Sequence, residues 1–157
     1  MSEDAEISWA VSATREVSAS PAVIFDLVAD PSHQPRWDGN DNLAEAPADQ
    51  RVQQVGDVFT MVLSQGSIRE NHVVEFQEAR RIAWRPADPG EPPAGHLWRW
   101  ELEPTGETTT RVTHTYDWSR LTDSNRFERA RSTTSDRLHA SLARLARLAE
   151  EAHRPAK

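Results

Sequence analysis

Three histidines and one tyrosine stand in strand-like segments of a 157-residue chain: His72, His96, His114 and Tyr116. Imidazoles titrate near neutral pH. His114 beside Tyr116, or a histidine near Glu70, could therefore exchange protons with an enolisable substrate. The plainer expectation is a set of hydrogen-bonded histidines in a cavity wall. Metal ligation is weaker still, because these histidines come from different strands and no His-Glu-x-x-His run or paired spacing is present. No metal site and no cofactor are expected.

Composition removes much other chemistry. The chain has no cysteine, so disulfides, thiolate zinc sites and cysteine nucleophiles are excluded. Lys157 is the only lysine, which leaves no credible Schiff-base or phosphate-loop lysine. Twenty-five acids against eighteen bases give a formal charge of -7, and no basic face concentrates for nucleic acid. Met1-Ser2-Glu3-Asp4-Ala5-Glu6 lacks the basic start and apolar stretch of an export signal, and no apolar run approaches the ~20 residues that span a bilayer. A cytoplasmic protein without integral membrane association is expected. Abundant arginine and alanine beside scarce lysine suggest a bacterial source.

Period-two alternation from Trp9 to Val17 reads as a first strand. Ser20-Pro21 and Asp30-Pro31-Ser32 each place a cap before a proline, so two short helices follow. From about Asn42 to Trp118 six strands are broken at Gly56-Asp57, Gln65-Gly66, Ala79-Arg80, 88–95 and Thr105-Gly106. All six glycines fall in breaks between elements, and none builds a Gly-x-Gly-x-x-Gly array. After Leu121, the stripe Phe127, Ala130, Thr134, Leu138, Leu142, Leu145 and Leu148 predicts one long helix to about Glu151, ~40 Å in length.

The order β-α-α-β6-α predicts an α+β helix-grip fold: a seven-stranded curved antiparallel sheet wrapped around a long C-terminal helix. The stretch from Ala19 to Asp30 with Arg36-Trp37-Asp38 resembles the START-like, or SRPBCC, superfamily, in particular its polyketide cyclase/dehydrase branch. Val73-Val74-Glu75-Phe76 with Arg81-Ile82-Ala83-Trp84-Arg85, and Trp98-Arg99-Trp100-Glu101-Leu102 with Thr110-Arg111-Val112-Thr113-His114, are similar to that branch's central strands. A single domain over 1–157, with its core at about 7–151, is expected. The resemblance implies a deep apolar cavity used for lipids, sterols, polyketides or plant hormones, in some members with chemistry and in many for binding alone.

Hairpin registers predict the cavity wall. A two-residue turn at Gln65-Gly66 sets Leu63 opposite Ile68, Met61 opposite Glu70 and Phe59 opposite His72. The Ala79-Arg80 turn pairs Phe76 with Ile82 and Val74 with Trp84. The Thr105-Gly106 hairpin sets Trp100 against His114, Trp98 against Tyr116 and His96 against Trp118. The expected ligand-binding set is Phe59, Met61, Glu70, His72, Trp84, His96, Trp98, Trp100, His114, Tyr116 and Trp118, with Phe127 and Arg131 from the last helix; Arg131 could meet a carboxylate or phenolate at the mouth. His114 and Tyr116 are the catalytic candidates. The proline-stiffened, glycine-hinged 88–95 segment is a candidate gate.

The leading functional expectation is binding of a hydrophobic, ring-containing small molecule. A polyketide cyclase, aromatase or dehydratase using His114 and Tyr116 is the enzymatic alternative, and a cochaperone-like stress protein is the third. A homodimer is compatible with the sequence.

Overall fold

A computed structural model describes residues 9–40, 43–122 and 124–153. Seven strands form one antiparallel sheet: β1 Ala10–Val17, β2 Leu43–Glu45, β3 Val58–Leu63, β4 Ile68–Gln77, β5 Arg81–Ala87, β6 Leu97–Pro104 and β7 Thr110–Asp117. Their spatial order is β1-β7-β6-β5-β4-β3-β2, so hairpins link β2 through β7 and β1 closes on β7. With the C-terminal helix this is the expected α+β helix-grip arrangement of a curved sheet.

Helix α1, Pro21–Ala29, starts where Ser20 Oγ accepts the Val23 N–H and Pro21 takes the first helical position. Its Ile24, Phe25 and Val28 side chains are fully buried. Asp30 caps a 3-10 turn, Pro31–His33, by accepting the Ser32 N–H. Helix α2, Gln34–Trp37, follows, tied back by the Trp37 indole N–H to the Leu27 carbonyl at 2.9 Å.

Two local features change which face β4 presents. The β3–β4 turn has three residues, 64–66, closed by Leu63 N–H to Ser67 O at 2.7 Å, with Gly66 at φ 98°. A three-residue hairpin with a left-handed last residue pairs Val62 with Ile68, Phe59 with Asn71 and Met61 with Arg69. The expected two-residue turn is therefore corrected by one register step, and one step inverts a strand. Arg69, Asn71 and Val73 face inward; Glu70 and His72 face outward. A bulge between Val73 and Glu75 then restores the expected pairing of Phe76 with Ile82, so Val73 rather than Val74 lies opposite Trp84. Val74 is exposed.

The β6–β7 register is as expected, with Trp100 opposite His114 and Trp98 opposite Tyr116; Trp84 likewise faces Trp98. On the convex face Glu75 and Arg99 flank buried Ala83, and their long side chains join across it in a two-point ion pair at 2.9 and 2.7 Å. The guanidinium contact holds the Glu75 carboxyl below its ordinary pKa.

The expected single terminal helix is divided. Helix α3 spans Phe127–Ser132 and helix α4 Ser135–His153. Ser132 Oγ and Thr133 Oγ1 both donate to the Arg129 carbonyl, while the Thr133 N–H turns to Ala130 O instead. The hydroxyls thus compete with the helical bond that would have continued the turn. The remaining 19-residue helix is about 28 Å long. Its Leu138, Leu142 and Leu145 are fully buried against β1, α1 and α2, each contributing about 1.5–3 kcal/mol. Among the described residues no helix is long and apolar enough to cross a membrane.

Candidate ligand-binding site

Because α4 covers the β1 side of the concave face, the opposite side is left to shorter elements. A cavity of about 160 Å³ lies there. Its apolar wall comes from Met61, Trp84, Trp98, Trp100 and Tyr116 on the sheet, with Trp37 on α2. Asn71, His96 and His114 bring polar groups from the strand side, Gln34 from α2 and Asp38 from just after it. A void of ~150 Å³ holds a benzene ring, so this one accommodates one aromatic ring, and a second ring would extend toward the mouth.

Three nitrogens of this lining are buried without a hydrogen-bond partner among the described residues: Gln34 Nε2, His96 Nδ1 and Trp100 Nε1. Each such group costs about 1–3 kcal/mol if left dry and unpaired.

His114 lies at the floor of this wall. Its Nδ1 sits 3.1 Å from the Arg99 carbonyl, which can only accept, so Nδ1 carries the proton and Nε2 is left as an acceptor. The ring stacks on Trp100 at 3.7 Å and on Trp98 at 5.5 Å. Burial pushes its pKa down to about 3, only partly opposed by that backbone hydrogen bond. Burial likewise lowers His96 to about 4, helped by Arg126, Arg69, Arg85 and Arg129. The Tyr116 hydroxyl is pushed up to about 12 by burial, against the pull of Arg129 and Arg126. All three groups are neutral near pH 7.

Of the thirteen residues expected from sequence, Met61, Trp84, His96, Trp98, Trp100, His114 and Tyr116 line the cavity. Glu70 and His72 do not, for the register reason given above. Glu70 instead accepts the Gly90 N–H at 3.1 Å from the convex side. Phe59 is fully buried behind the wall, edge-on to Trp84 at 5.3 Å. Trp118 and Phe127 form a separate aromatic cluster with Trp9. Arg131 is exposed and away from the lining; Arg126, just before α3, and Arg129 on it line the cavity instead.

The sequence reading missed Arg69, Asn71, Gln34 and the arginines Arg126, Arg129 and Arg137. The signal available was Ser132-Thr133-Thr134-Ser135, four hydroxyl residues in a row, which interrupt a helix and so re-aim the arginines on either side. Arg69 and Arg126 share one carboxylate, Asp88, at 2.9 and 3.1 Å. That carboxylate anchors the start of the 88–95 segment, whose far end is held by Arg85 Nη1 to Gly95 O at 2.6 Å.

Comparisons with known proteins follow this architecture. A START superfamily protein from Mycobacterium smegmatis aligns with TM-score 0.64 at 16% identity, covering 91% of this chain and 98% of its own. The Aha1 dimer from Colwellia psychrerythraea aligns with TM-score 0.61 at 18% identity, covering 90% and 96%. At such identities the likeness is one of fold. An uncharacterized protein of Mycobacterium tuberculosis strain H37Rv is 29% identical over 119 residues, 69% of this chain and 47% of that protein, so the chain spans about half the length of the curated relatives it matches. A family profile described as polyketide cyclase / dehydrase and lipid transport matches residues 8–150. The chain therefore belongs to the polyketide cyclase / dehydrase and lipid transport family.

Proposed function

We propose that this protein binds a hydrophobic, ring-containing small molecule, such as a lipid or polyketide, in the cavity between sheet and helices. The observation that carries the reading is a void of about 160 Å³ walled by Trp84, Trp98, Trp100 and Tyr116. A flat apolar guest gains about 25 cal/mol per Å² of surface removed from water, and stacking on the indoles adds to it.

Protonation chemistry supports binding over turnover. A cyclase or dehydratase working through His114 and Tyr116 would need a base and an acid with pKa values near the operating pH. Here the imidazole is held at about 3 and the phenol at about 12. The cochaperone alternative draws on fold likeness to Aha1. It would call for a broad apolar docking face, whereas the large exposed hydrophobics among the described residues divide between Trp9 beside β1 and Val55, Val58, Ile68 and Val74 on the β3–β4 side.

The test is a titration of the full chain with two-ring aromatics, followed by tryptophan fluorescence and calorimetry. Saturable one-site binding, with density for the guest against Trp98 in a crystal, is expected. If no two-ring compound binds saturably, the reading is wrong.

A further inference from the structure

The chain carries a formal charge of -7, yet four arginines gather on one cavity: Arg69, Arg126, Arg129 and Arg137. Against them the described lining sets Asp38, and Asp88 lies just behind Arg69 and Arg126. The local balance is thus opposite in sign to that of the molecule.

The four are not equivalent. Arg69 and Arg126 are engaged by Asp88. Arg129, on α3, and Arg137, in the first turn of α4, have no ion pair or side-chain hydrogen bond among the described residues and are exposed at the rim. They stand on either side of the Thr133 break, which brings them to the same opening. Cations that merely solubilised a helix would have no reason to converge on an apolar cavity in an acidic protein.

The interior argues for where an anion goes. The Nε2 lone pair of His114 would repel one deep in the cavity, where the wall is otherwise mainly aromatic. The rim offers two planar guanidinium forks, which suit a carboxylate or phosphate by paired N–H···O bonds. Burial is the main cause of the lowered His96 pKa, and Arg126, Arg69, Arg85 and Arg129 push it the same way.

We propose that the occupant is an anionic amphiphile, its ring against Trp84, Trp98 and Trp100 and its oxyanion, a carboxylate or phosphate, held at the mouth by Arg129 and Arg137. This rests on the ligand-binding reading above and adds the charge and orientation of the ligand.

The experiment compares near-isosteric probes on the full chain by calorimetry: 2-naphthoate, its neutral partner 2-naphthamide, and 2-naphthyl phosphate. Naphthoate or the phosphate should bind at least about tenfold more tightly than the amide, and the tighter of the two names the preferred head group. The advantage should shrink with added salt and vanish in Arg129→Gln/Arg137→Gln, in which naphthoate, phosphate and amide should bind with equal affinity. Arg129→Lys, which keeps the charge and loses the fork, should retain only part of it. Equal affinity for naphthoate, phosphate and amide, or a preference that survives the double substitution, overturns the inference while leaving ligand binding intact. Failure of all three probes to bind overturns both.

Discussion

The His114 imidazole lies parallel to the Trp100 indole within 13°, ring centroids 3.7 Å apart, at directly opposed positions of β7 and β6. Stacking and the bond to the Arg99 carbonyl hold it in one tautomer, and the loss of water around it penalises the charged form. A residue whose type suggested proton transfer is thereby made a fixed hydrogen-bond acceptor.

Acid should unfold this protein earlier than its carboxylates alone would dictate. The folded-state pKa values of His114 and His96, about 3 and about 4, lie below the ordinary 6.5 of the unfolded chain. The unfolded state therefore binds more protons once pH drops below 6.5, and the stabilisation present above that value is lost progressively as pH falls through the folded pKa values. At pH 5 the expected loss is about 2 kcal/mol per histidine. Urea unfolding at pH 8, 6 and 5 measures it, and His96→Gln should remove roughly half of the decline. Stability flat from pH 8 to 5 would contradict the burial argument.

Sequence pattern reached the fold because the turns announce themselves: Ala79-Arg80 and Thr105-Gly106 set registers that the structure keeps. It reached the aromatic wall for the same reason, since Trp84, Trp98 and Trp100 alternate on strands whose pairing those turns fix. It lost β4 because a two-residue and a three-residue loop around Gly66 are written in the same letters, and the bulge at Val74 leaves no mark in a row of valines. The cationic rim was out of reach for a different cause. Arg126 and Arg129 look like an ordinary solvated helix face until the Thr133 break gives α3 its own direction.

Gly95 should be the least replaceable residue of the 88–95 segment. Its φ of 124° is costly for any side chain, and a Cβ there would overlap the Arg120 carbonyl. Gly95→Ala is expected to cost more than about 3 kcal/mol, and because His96 adjoins it in the lining, to weaken 2-naphthamide binding as well. Gly90 has open space around it, so Gly90→Ala should cost only about 1 kcal/mol. Chemical denaturation of the two variants side by side tests the contrast. Equal losses would mean the loop end is not pinned at Arg120.

Two neighbouring tryptophans should separate stability from binding. Trp100 is 0% exposed and meets Trp37 edge-on at 5.1 Å as well as His114 face-on. Removing it leaves a cavity in the core, so Trp100→Ala is expected to cost about 3–5 kcal/mol and to lower Tm by roughly 10 °C. Trp98 is only half-buried and touches Tyr116 at 4.3 Å and His114 at 5.5 Å, all three within the lining. With less packing to lose, Trp98→Ala should shift Tm by only a few degrees. Its loss of stacking, about 0.5–1.5 kcal/mol, should appear as a weakening of naphthamide affinity by several-fold. Trp98→Phe, which keeps a π face in the same place, should recover most of that affinity. Unchanged binding in Trp98→Ala would show that the aromatic guest does not rest on Trp98.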